Sequence, residues 1–180
     1  MDKQKRILKE TKVNKFENGH TIWLKGEKYR LYFRSAEKNI VFRTNDQIIV
    51  FTKNIEDSEY SEQVLKNWLK EVARQEFITA LEKYRNRMRK KYDVPNYVLQ
   101  IRSMKTRWGT CIPSKKKITL NLNLIFAPRE YIECIALHEL THFLEIRHDA
   151  HFYGIMQEFM PNYKEIQEKL NKEYSRIVRG

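Results

Sequence analysis

The segment His138-Glu139-Leu140-Thr141-His142, followed by His148, holds residue types that can grip a metal and move a proton. On an α-helix, side chains four residues apart stand one turn above each other on one face, so the His138 and His142 imidazoles can hold one ion from the same side. Glu139 lies beside them and is not needed as a ligand. Zinc with three protein ligands keeps a fourth position for water, whose pKa falls to about 7, and a neighbouring carboxylate can then take the proton. That combination hydrolyses amide bonds, with Glu139 as the general base.

The third ligand requires the helix to break. Continued past His142, it would carry His148 roughly 9 Å along the axis and about 120° around. Zinc proteases of the astacin and matrix type break here with a glycine three residues after the second His, where this chain has Glu145. Asp149 offers another route, as the cap of a new helix starting near Ala150, which leaves His148 on the connecting turn. The spacing favours His148 and leaves His151, one turn into the new helix, as the rival. Cys134 stands one turn before His138, where a buried small hydrophobe is the commoner role. The alternative for the whole segment is a buried helix with two satisfied histidines. Against it, four of the five His lie between His138 and His151, after the apolar run Ile132, Ile135, Ala136, Leu137.

The elements that must position this helix follow from the hydropathy pattern. Ile22 to Leu24, Tyr29 to Phe33, Ile40 to Phe42 and Ile48 to Phe51 read as short strands. Gly26-Glu27, Ala36 to Asn39 and Asn45-Asp46 separate them, which predicts a small antiparallel meander. Asp57 or Ser58 caps a long helix whose apolar stripe runs from Tyr60 to Met88 and stops before Asp93-Val94-Pro95-Asn96. Tyr97 to Arg102 reads as a strand, and the alternation of Ile118, Leu120, Leu122 and Leu124 as another. Between them, Arg107-Trp108-Gly109-Thr110-Cys111 suits either ligand contact or packing under the meander. Pro128 and Glu130 open the metal helix, expected to run to about Leu144, with further helices over 149–160 and 162–178.

A chain of 180 residues with 41% hydrophobic and 32% charged residues predicts one globular domain over 1–180, with 1–20 loosely attached and 97–163 as the catalytic core. No apolar run is long enough to span a membrane, no signal core follows Met1, and Cys111 and Cys134 form no disulfide framework, so a cytoplasmic protein is expected. The excess of 35 Lys and Arg over 23 Asp and Glu favours acidic partners, and nucleic acid on a basic surface is one reading. A solvated surface is the other, since no helix-turn-helix, zinc-finger or RNA-recognition motif accompanies the charge. Its clusters are Lys3 to Lys15, Arg85 to Lys91 and Lys115 to Lys117.

Taken together, Arg107-Trp108-Gly109-Thr110-Cys111, Ile118 with Leu120-Asn121, Pro128, the pentapeptide at His138, Glu145, and His148 with Phe152 four residues on resemble the YgjP-like metallopeptidases, relatives of the SprT-like zincins. The likeness is sharpest over 97–163. It departs at Thr110, where serine is usual, and at Asp149, where a small residue is. The resemblance implies an α+β zincin-like fold: N-terminal antiparallel strands, a long helix, and a twisted sheet packed on the active-site helix. It implies one zinc per chain on His138, His142 and His148, and a protein or peptide substrate. SprT-like relatives act on DNA-bound proteins, but the motifs of their DNA-binding tail are absent here. Arg107, Trp108 and Tyr153 are the candidates for substrate or oxyanion contacts, and Glu145 for holding a ligand His or an arginine. The rivals are a zinc hydrolase of nucleotide phosphoanhydrides, and a basic nucleic-acid module with a structural zinc. The first lacks a phosphate-cradling glycine loop. The second normally closes its metal site with a fourth protein ligand.

Overall fold

The computed structural model describes the backbone of residues 16–179 and the side chains of 16–173. The basic run Lys3 to Lys15 lies outside the described residues. Four strands come first: β1 (Thr21–Leu24), β2 (Glu27–Ser35), β3 (Ile40–Arg43) and β4 (Gln47–Thr52). Residues 16–20 are better anchored than composition suggests. Gly19 donates to Leu31 O, Leu31 to His20 O, and Asn18 Oδ1 accepts from Phe33 N at 2.6 Å.

These strands do not form an antiparallel meander. Their order is β1-β2-β4-β3, with β2 and β4 parallel and the outer pairs antiparallel. Alternation shows which residues face inward, but it does not determine strand order. The longer strands β2 and β4 take the centre and bury Leu31, Phe33, Ile48 and Val50, while the four-residue strands β1 and β3 lie at the edges.

The β1–β2 turn shows why local and global structure agree. Lys25 and Gly26 both take positive φ (54° and 79°), as in a type I′ hairpin turn. A Cβ on Gly26 would stand 2.8 Å from Cγ of Pro128, the residue that precedes the metal helix. Gly26→Ala should therefore cost about 1–3 kcal/mol through backbone strain and overpacking, read as a lower denaturant midpoint at constant m.

Helix α1 (Ser58–Met88) begins where Asp57 accepts from Tyr60 N, and buries Leu65, Leu69, Ala73, Phe77, Leu81, Tyr84 and Met88 on one stripe. It ends a turn before the Asp93 to Asn96 stop. Buried Arg85 donates to Pro95 O and to Asn96, fixing the chain as it turns back. The second sheet has order β5-β7-β6, from β5 (Val98–Arg102), β6 (Gly109–Ile112) and β7 (Lys117–Asn121). Here the Trp108 segment leads into β6, an edge strand of the second sheet. The strand expected to reach Leu124 stops at Asn121, whose side chain accepts from Asn123 N and starts a 3-10 turn over Leu122–Phe126. Helices α2 (Arg129–Thr141), α3 (Ala150–Phe159) and α4 (Tyr163–Arg179) complete the α+β fold. One continuous core joins both sheets to α1 and α2. No helix among the described residues is long and apolar enough to cross a membrane.

Candidate metal centre

Helix α2 carries His138 and His142 on adjacent turns and ends at Thr141, earlier than the pattern suggests, with His142 as its C-cap. The chain then tightens: Phe143 N bonds Leu140 O, and Leu144 N and Glu145 N both bond Thr141 O. Lys25 and Lys116 are the non-glycine residues with positive φ among those described, so the break after His142 needs no left-handed residue and tolerates Glu145. Asp149 then caps α3 by accepting from His151 N and Phe152 N. Between the two helix ends, His148 folds back.

His138, His142 and His148 each offer a ring nitrogen within 4.8 Å of the others. His148 Nε2 lies 3.0 Å from His138 Nε2. His142 Nδ1 faces Glu145 O at 3.0 Å, and because a carbonyl only accepts, Nδ1 carries the proton and Nε2 keeps its lone pair. Burial drives His138 down to about 3, helped by the two neighbouring imidazoles, and lowers His142 as well. Both rings are thus neutral, the form that ligates metal. The donor set fits zinc: three imidazoles converging from one side. Phe152 packs 4.7–5.0 Å from all three rings, which limits their rotation.

Glu139 is 4% exposed, and its Oε2 has no hydrogen-bond partner among the described residues. Burial pushes its carboxyl up to about 8, opposed by the nearby Arg107 charge. The other carboxylate oxygen is boxed in by β6: a Cβ on Gly109 would sit 2.5 Å from Oε1 and 2.8 Å from Cδ. A glycine inside a strand often marks such an approach; the sequence reading named Gly109 only within the Arg107 to Cys111 segment, without its contact to Glu139. Gly109→Ala should displace the carboxylate and lower hydrolysis about 10²-fold with metal content retained, as checked by kinetics alongside metal analysis.

These groups share one cavity of about 430 Å³. Arg107, Trp108, Gly109 and Cys111 form one wall, the three His and Glu139 the floor, and Ile146 and Gln167 also line it. Gln167, on α4, carries no local signal that sequence reading could use. Arg107 is exposed and Trp108 half-buried against the core. Both are held by buried Asn121, whose Nδ2 donates to Met104 O and Arg107 O, and whose N–H donates to Trp108 O. Tyr153 does not line this cavity: it stacks beside His148 at 6.3 Å and on Tyr163 at 6.1 Å. The Glu145 carboxylate accepts from His151 Nδ1 at 2.9 Å, which draws that ring away from the cluster, while its backbone holds His142.

The zymogen of abylysin from Pyrococcus abyssi is similar, with a TM-score of 0.49 and 20% identity, over 56% of this chain and 96% of that one. The zymogen of jannalysin from Methanocaldococcus jannaschii gives 0.41 and 20%, over 58% and 94%. No curated protein gives a significant match. The model of the YgjP-like metallopeptidase domain matches residues 1–173, and the chain therefore belongs to the YgjP-like metallopeptidase family.

Proposed function

We propose that the protein is a zinc-dependent peptidase in which His138, His142 and His148 hold one zinc ion and Glu139 is the general base. The observation that carries this reading is the convergence of three imidazoles on a cavity that also holds a buried carboxylate with a free oxygen. Bound there, zinc would supply Lewis-acid chemistry, activating water and polarising a carbonyl. Glu139 takes the proton from the attacking water and passes it to the departing amine. Arg107 is placed at the same cavity to meet developing negative charge, and Tyr153, flanking His148, positions that ring.

The substrate backbone docks along β6. This strand pairs with β7 on one side and is the sheet's edge on the other, where it lines the cavity. An extended peptide added to that edge gains main-chain hydrogen bonds that fix its register. The purified zinc form should cleave a denatured protein and leave a panel of nucleoside triphosphates intact. Hydrolysis of nucleotides without any peptide cleavage would overturn the reading in favour of a phosphoanhydride hydrolase.

A further inference from the structure

The outer face of the first sheet has a composition that neither the core nor the metal cavity uses. Side chains alternate along a strand, so the register fixes which share a face. Leu31, Phe33, Ile48 and Val50 point into the core. The opposite face carries Arg30, Tyr32 and Arg34 from β2, Ile49 and Phe51 from β4, and Phe42 from β3, with Tyr32 beside Ile49 and Ile49 beside Phe42. Phe42 is 55% exposed and meets Phe51 edge-on at 5.9 Å. The Arg34 guanidinium stands 5.4 Å over the Tyr32 ring.

No Asp or Glu occupies an outward position on these strands; Glu37 and Asp46 lie in the connecting turns. Arg30 and Arg34 are exposed and form no ion pair among the described residues, whereas Lys25, Lys83 and Lys91 pair with Glu76, Glu133 and Glu158. The basic run at Arg85 to Lys91 is partly consumed in the same way, with Arg85 buried, Arg87 over Tyr84 and Phe159, and Lys91 on Glu158. An exposed ring on a face that also carries unneutralised guanidinium groups suits a partner that is anionic and has flat π faces.

We propose that this face binds single-stranded nucleic acid, with a base stacking on Phe42 and phosphates meeting Arg30 and Arg34. Unpaired bases are needed because a duplex hides the faces that such rings stack on. The site lies on the side of the first sheet turned away from the core, so it is independent of the peptidase reading and of the metal.

The test is fluorescence anisotropy of a labelled oligothymidylate with the zinc-loaded protein at several salt concentrations. Binding should weaken as salt rises. Phe42→Ala should weaken it about 5- to 150-fold, Phe42→Tyr should retain it, and the double change Arg30→Gln with Arg34→Gln should flatten the salt slope by about 1.4. These side chains are surface-directed, so circular dichroism and metal content should match the parent protein. A duplex of equal length should bind more weakly and ignore Phe42→Ala. The proposal is overturned by absence of binding at low salt, by equal binding to duplex, or by affinity that none of these substitutions changes. It is also overturned if Phe42→Ala instead abolishes self-association or binding to anionic phospholipid vesicles while the oligonucleotide is never bound.

Discussion

Glu139→Gln should lower peptide hydrolysis by roughly 10² to 10⁴ while leaving zinc content at one per chain. The substitution keeps the side-chain size that fits against Gly109 but removes the ability to accept a proton as a base. The same variant carries a stability signature in the metal-free protein. Burial raises the Glu139 carboxyl from an ordinary 4.5 to about 8, so between those values the folded chain holds a proton that the unfolded chain has released. Stability from this group is therefore present at low pH and lost as pH rises through about 8. Glu139→Gln removes that loss, so the variant should gain stability relative to the parent on going from pH 5 to pH 9, as read from urea midpoints. Unchanged hydrolysis, or loss of zinc, would refute the role assigned to this carboxylate.

His148→Ala should leave less than half an equivalent of zinc after dialysis, because two imidazoles on one helix face cannot close a three-ligand site. His151→Ala should retain the full equivalent, since its ring is turned to the Glu145 carboxylate. The reverse pattern would move the third ligand to His151. Acid should act on this site through folding as well as through binding. Burial lowers His138 from 6.5 to about 3, so in that window the unfolded chain binds a proton that the folded chain refuses. Metal-free stability should then fall as pH drops from about 6.5 towards 3, the opposite direction to the Glu139 effect. Holding the metal-free protein near the middle of these windows should make it most tractable for the titrations.

The sequence by itself determined the local pieces whose cause is local. The spacing of His138 and His142 puts both on one face of any helix, Asp57 and Asp149 cap the helices that follow them, and the run of apolar residues four apart dictates the buried stripe of α1. The place of His148 on the turn between two helices was readable too, because Asp149 sets where the next helix must start. Tertiary structure decided what depends on partners distant in the chain. The order β1-β2-β4-β3 puts the two longer strands at the centre, an outcome of competition among strands that no single strand encodes. Trp108 and Gly109 became a cavity wall because Asn121, thirteen and twelve positions later, holds the loop by hydrogen bonds and pairs the strand behind it. Gly109 against Glu139, and Gln167 at the cavity, are meetings between elements far apart in the chain, and only the packed core brings them within reach.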